Sequence, residues 1–355
     1  MKKWAKALII IAVIASGTIS LLYAPLITVS SVGTEVVPNT ETRTQINLIA
    51  NIESSDITIE YAASNSSDWI NVTWDISVRH AILIPPPTIV VSWDYYNISD
   101  VLTAIFTVNY HGMSFTSGLF SKISIIINPD LISNFSIITS SGTINLTTTN
   151  NKNLQYIDVN LTTTAGNCFA TFINGTDIQG DLNIQTTTGN SVLIMESNSD
   201  IDGSLTAKTT FGNNNVTLRE NISINNDLFI QATTGQCLFY LKSCYLNNKV
   251  ITGIIETSTG GILATIIQRV NTTGNFTLDI DSDTGSIELI LGFNITGSIQ
   301  STLTTDTNGS INDISLSGYT ESAGIYTSDI SPQSYKIDAN LTTNTGIIKL
   351  QGGYS

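Results

Sequence analysis

One phrase repeats through most of this 355-residue chain: a run of Thr and Ser, a Gly, then apolar residues at every second position. It first reads clearly as Thr139-Ser140-Ser141-Gly142-Thr143-Ile144-Asn145-Leu146. It returns at Gly166, Gly189, Gly212, Gly235, Gly260, Gly285, Gly309 and Gly346, with spacings of 24, 23, 23, 23, 25, 25, 24 and 37 residues. A fixed period in this range is the signature of stacked supersecondary units, each too small to bury its apolar face alone.

Each unit carries two segments of period two around the glycine. Before it come pairs such as Leu182 and Ile184 or Leu228 and Ile230, and after it come triplets such as Ile287, Leu289 and Leu291. Alternation of this kind buries one face of a strand and leaves the other wet. The glycine between them suits a corner with a backbone conformation that a Cβ resists. These features predict an all-β fold, a parallel β-solenoid of 23–25-residue Thr-Gly repeats.

The residue after the glycine tests the idea. Asn167, Asn190, Asn213 and Gln236 hold that position in four consecutive units. In an in-register parallel stack such side chains lie above one another and are expected to hydrogen-bond amide to amide. Thr163, Thr186 and Thr209, three before the glycine, should form a second column.

Four segments follow. Residues 1–29 read as a membrane anchor or signal segment: Lys2, Lys3 and Lys6 precede an uncharged stretch from Ala7 to Gly33. Its apolar run is long enough to cross a bilayer of about 30 Å as a single transmembrane helix. The lysines place the N-terminus inside and the body outside. This predicts a single-pass cell-membrane protein held by residues 7–29, with an extracytoplasmic body. A cleaved signal peptide is the competing reading. Lys6-Ala7-Leu8-Ile9 also resembles the processing site of archaeal pilin-like precursors, which makes a pilin-type filament subunit an alternative. Residues 30–45 read as a polar spacer, 46–130 as a β-rich N-terminal portion and 131–355 as the solenoid. Ser54-Ser55-Asp56-Ile57 resembles a degenerate repeat without its glycine, and residues 315–337 a looped-out stretch or a coil that lost its phrase. Trp69, Trp74, Trp93, Tyr95 and Tyr96 gather in the N-terminal portion, as sheet core and end cap or as a platform for sugar rings.

The phrases Thr257-Ser258-Thr259-Gly260-Gly261-Ile262 and Ser282-Asp283-Thr284-Gly285-Ser286-Ile287 resemble those of the putative-adhesin β-repeat domain found in bacterial and archaeal cell-envelope proteins. The resemblance covers most of residues 47–350. It implies a β-repeat architecture and a structural or adhesin-like role at the cell surface, with other envelope proteins or glycans as partners. It names no activity.

Charge and chemistry narrow the reading. With 14 basic and 28 acidic residues the formal charge is −14, which disfavours a nucleic-acid partner. The only histidines are His80 and His111, outside the repeats, so no Ser/His/Asp arrangement forms and no enzyme is expected. A carbohydrate-binding or carbohydrate-active β-helix is the remaining alternative. Three cysteines make no disulfide framework; Cys168 and Cys237, each two after a repeat glycine, should point inward as free thiols. Asp279, Asp281 and Asp283 alternate with Ile280 and Ser282 and should share the outer face of one strand. Their spacing resembles a calcium loop, although that loop wants its glycine one place earlier than Gly285. They are either a Ca2+ site or a solvated acidic face; no other cofactor is expected. Among many sequons, Asn145, Asn160, Asn215 and Asn340 fall on the outward parity and are candidates for N-glycosylation.

Overall fold

The computed structural model describes residues 26–39, 42–62, 66–81, 85–112, 118–148, 153–247, 249–268, 274–293, 299–307, 313–317, 319–322, 325–328 and 335–354. Every regular element among them is a β-strand. In each repeat one strand precedes the glycine and one follows it, as in Leu205–Phe211 and Asn214–Arg219 around Gly212. The two kinds of strand form two separate sheets, with Leu205, Ala207, Val216 and Leu218 facing each other in the dry space between. Thr206, Lys208, Asn215 and Thr217 face out.

Pairing between repeats is parallel and in register. In the pre-glycine sheet Val159, Leu182, Leu205 and Leu228 stand in one column. In the post-glycine sheet Cys168, Ser191, Asn214, Cys237, Ile262, Ile287 and Ile348 stand in another. Among the described residues the post-glycine sheet has thirteen strands, of which Asp68–Ala81 runs against the others and pairs antiparallel with Leu26–Pro38 and Gly118–Ile127. At about 4.8 Å per rung the parallel stack is about 50 Å long. A short third side, Asp177–Ile178, Asp200–Ile201 and Ser223–Ile224, closes the central coils. Its corners use left-handed residues such as Asn174, Asn198 and Asn221.

Polar columns tie the rungs together. Thr163, Thr186 and Thr209 are buried and donate to the carbonyls of Gly142, Gly166 and Gly189, the glycines one coil back. Thr257, Ser282 and Thr343 continue the pattern. The amide column exists, with different partners from those expected. The backbone N–H of Asn190 donates to Asn167 Oδ1 at 2.9 Å, that of Asn213 to Asn190 Oδ1 at 2.9 Å, and that of Gln236 to Asn213 Oδ1 at 3.0 Å. At this corner the backbone N–H has no sheet partner, so it outcompetes a side-chain amide for the oxygen. Asn190→Leu strands the Asn213 N–H at a solvent-accessible corner and should cost about 0.5–1.5 kcal/mol. Gln236→Leu, at the end of the run, should cost less. Urea denaturation midpoints measure both, and equal midpoints would show that the column contributes nothing.

Two sequence expectations are corrected at the N-terminus. Among the described residues no helix is long and apolar enough to cross a membrane. Ala7 to Leu22 of the expected span lie outside the described residues, while its last residues, Leu26–Val29, open the strand Leu26–Pro38, where Leu26 pairs with Ala81 and Val29 with Val78. The transmembrane helix and the single-pass localisation built on it are therefore not supported. The expected spacer is largely this same strand: Val29, Ser31, Gly33 and Val37 alternate toward the sheet interior opposite Val78, Ile76, Trp74 and Ile70.

Rung order departs from chain order at both ends. Gln45–Tyr61, the degenerate repeat with Ser55 at its corner, lies between Val101–Ile127 and Ile132–Thr147. At the other end Tyr335–Tyr354 inserts between Gly274–Phe293 and Ile299–Ser317. Gly346 therefore stacks on Gly285; Gly309 lies outside the described residues. Within the stretch from 315 to 337, Tyr319–Ser322 and Ile325–Ser328 form an antiparallel hairpin against Ile299–Thr307.

Candidate functional site

A concavity lies on the outer face of the post-glycine sheet, where the antiparallel-paired end strands join the parallel stack. It is a groove of about 700 Å³. Register explains its chemistry. Thr34, Thr73, Ser124, Thr58 and Asn145 form one row across five strands, because Thr34 pairs with Thr73, Thr73 with Ser124, Ser124 with Thr58 and Thr58 with Asn145. The next row places Lys122 between Asp75 and Asp56. Asp56 Oδ1 accepts from the Thr143 backbone N–H at 2.8 Å. Lys122 Nζ sits 5.4 Å from the centre of the Phe120 ring. The floor is thus a grid of hydroxyls, an amide and carboxylates around one ammonium. It suits a ligand rich in hydroxyl groups, which needs donors and acceptors side by side.

The aromatic group beside it divides. Trp69 is buried, and Trp74 and Trp93 pack on Phe106 with ring centres 5.8 and 6.1 Å away. Tyr95 and Tyr96 are exposed on Thr88–Ile98. Trp69 and Trp74 are therefore core and end cap, while Trp93 also meets Tyr95, with ring centres 6.4 Å apart at 45°.

Asp279, Asp281 and Asp283 share the outer face of Gly274–Thr284. Alternate residues on a strand are about 6.6 Å apart, so the three carboxylates do not converge. Asn340 Nδ2 donates to Asp279 Oδ1 at 2.8 Å and Asn344 Nδ2 to Asp283 Oδ1 at 3.1 Å. Among the described residues no group of three His, Cys, Asp or Glu is placed to hold a metal ion. Asn145, Asn160 and Asn215 are half-buried on outer faces and Asn340 is exposed. Asn160 Oδ1 accepts from Asn183 Nδ2 at 3.2 Å, so this sequon belongs to an inter-rung ladder. Cys168, Cys237 and Cys244 are buried free thiols, and burial pushes Cys237 and Cys244 up to about 12.

A second carboxylate column escaped the sequence reading. Asp158 Oδ1 accepts the Asp181 N–H, Asp181 Oδ1 the Ser204 N–H, and Asp227 Oδ1 the Thr252 N–H, each at 2.8 Å. The same 23-residue period, followed through Asp158, Asp181 and Asp227, would have revealed it. Nearby, burial and then the charges of Asp202 and Asp200 raise the Asp177 carboxyl above its ordinary value. Burial and then Asp283 raise Asp281. A carboxyl raised in the folded state binds its proton more tightly there than in the unfolded chain. Its ionisation therefore opposes folding at neutral pH, and stability from these two groups rises as pH falls through their raised values. Asp177→Asn should melt above the parent at pH 7, with the difference shrinking on acidification. Calorimetry across the carboxylate range checks this; a pH-independent difference would refute the assignment.

No family model matches the chain, and no curated protein matches it. Three solved structures are similar in part. A putative cell adhesion protein from Clostridium sporogenes is 11% identical over 92% of this chain and 100% of its own, with a TM-score of 0.21. A putative adhesin from Bacteroides fragilis is 10% identical over 92% and 97%, with a TM-score of 0.30. One from Parabacteroides merdae is 12% identical over 76% and 94%, with a TM-score of 0.20. All three carry the adhesin description to which the repeat phrase points. At such scores the backbones do not superpose as wholes, and nothing about their function transfers.

Proposed function

We propose that the protein is a non-catalytic, adhesin-like structural component of a cell surface, a stiff rod presenting its polar groove to glycans or other envelope proteins. The observation that carries this reading is the commitment of the outer and corner side chains to the stack. The oxygens of Asn167, Asn190 and Asn213 and the carboxylates of Asp158, Asp181 and Asp227 hold the next coil's backbone. Groups fixed in this way stiffen a body and are not free to shuttle protons. The groove, by contrast, gathers hydroxyls and charges from five strands at one end of the rod.

Attachment tests the proposal. Beads coated with the full chain are passed over surfaces bearing neutral polysaccharide, acidic polysaccharide or protein. Retention on at least one surface is expected, and should be lost in the Thr58→Lys/Ser124→Lys double variant. Retention no better than that of bare beads on every surface would overturn the adhesin-like reading. Progressive shortening of a polysaccharide would overturn the non-catalytic one.

A further inference from the structure

The outer face of the post-glycine sheet carries two apolar clusters near its middle. Phe169, Val192, Ile194, Leu238, Tyr240 and Leu263 all point outward there, half-buried only by their neighbours in the sheet. Phe169 pairs with Val192, and Leu238 with Leu263, giving two apolar ridges at the strand spacing on either side of Asn214–Arg219, whose Asn215 and Thr217 face outward between them. The outer side of the pre-glycine sheet at the same height carries Asn160, Asn183, Thr206, Gln185 and Lys208 instead. Apolar clusters bordered by polar residues on an outer sheet face mark an interaction site.

Charge identifies the occupant. The strands of the apolar face, from Ile144–Thr147 to Ile348–Tyr354, hold three cations, Arg219, Lys242 and Lys349, and two carboxylates, Glu196 and Glu288. Arg219 pairs with Glu196, and Lys349 with Glu288 at 3.1 Å. The pre-glycine strands from Ile132–Ser141 to Tyr335–Thr345 carry Asp158, Glu256, Asp279, Asp281, Asp283 and Asp338 against Lys208, Lys249 and Lys336. The third side, residues 174–181, 197–204 and 220–227, carries acids and no cation among the described residues. In a chain of charge −14, like surfaces repel, and this face is the one that a second copy can approach without that penalty.

Shape agrees. Ridges at about 4.8 Å fit another in-register sheet of the same pitch, and two such sheets pack face to face at about 10 Å. Six strands of about five residues give a footprint of roughly 500 Å² per copy, on the order of 1,000 Å² in total, the lower bound for a stable interface. We infer that the protein forms a two-fold dimer through the outer face of its post-glycine sheet, with Val192 and Leu238 on either side of Asn215 at the centre, so that the dimer and a glycan on Asn215 exclude each other. This goes beyond the adhesin-like reading and does not depend on it.

Sedimentation velocity of the full chain tests the dimer. The parent should sediment at twice the 38.1 kDa monomer mass. Val192→Lys and Leu238→Lys, both outward-facing, should each weaken association at least about tenfold, the scale of a lost interface anchor. Thr206→Lys on the opposite face should leave it unchanged. A monomeric parent at about 100 µM, or undiminished association of both lysine variants, overturns the proposal. An unmutated check uses mixed heavy- and light-isotope protein and an amine cross-linker. Links between copies at Lys242 or Lys349 support the dimer, and links between copies confined to Lys208 and Lys336 overturn it.

Discussion

Gly235→Val should split the stack, while Ser286→Ala should leave it intact. Gly235 has φ +139°, a conformation that L side chains rarely adopt. A Cβ built there would overlap the carbonyl oxygen of Gly212, the corner glycine of the preceding coil. Relief would require the two rungs to separate at the corner. That would disturb the bond from Gly212 N to Thr234 O and the one from Gln236 N to Asn213 Oδ1. Strain and overpacking together should cost roughly 2–6 kcal/mol. In a solenoid, stability is a sum of rungs and nearest-neighbour interfaces, so a broken interface at the fifth phrase uncouples what lies on either side. Ser286 is exposed, and its backbone carbonyl, which accepts from Ile262 N, survives the change to Ala. Thermal melts should show a large loss or a divided transition for the first variant and a near-parental curve for the second. Equal melting temperatures would contradict the placement of the glycine at the corner.

Phe172→Ala should cost about 3–5 kcal/mol, as expected for truncating a fully buried ring. Phe169→Ala, three residues earlier on the same strand, should cost less than about 1 kcal/mol in the monomer. Phe172 is fully buried and meets Tyr156 edge-on, ring centres 5.5 Å apart at 82°. Tyr156 in turn touches Phe135 and Tyr61, so removing Phe172 opens a hole beside the hub of an aromatic group linking several rungs. Phe169 points to the outer face and leaves no cavity. Because a one-residue slip exchanges the two faces of a strand, the ratio of these losses measures the register directly. Guanidinium denaturation gives both values, and comparable losses would mean that the strand is not held in the register described.

The sequence by itself determined the repeat, the corner glycines and which residues face inward. Period-two alternation and a 23–25-residue glycine spacing are local, repeated many times, and satisfied together only by an in-register parallel stack. That is why the inward positions of Cys168 and Cys237 and the columns of Thr163, Thr186 and Thr209 could be read without coordinates. Tertiary structure decided what depends on competition between partners far apart in the chain. The Asn167–Gln236 column binds backbone N–H groups because the corner leaves those donors without a sheet partner, which no spacing reveals. Leu26–Val29 read as membrane-spanning from composition, yet they are strand because Val78–Ala81 offer them an edge to pair with. The groove required Thr34, Thr73, Ser124, Thr58 and Asn145 to meet from five strands, and that row exists only because Asp68–Ala81 runs against the stack and pairs with Leu26–Pro38 beyond it. The rung order at both ends was also hidden from local pattern. Any coil with the phrase can stack on any other, and only the chain's connections and the hairpin at Tyr319–Ser328 select Gly285 as the neighbour of Gly346.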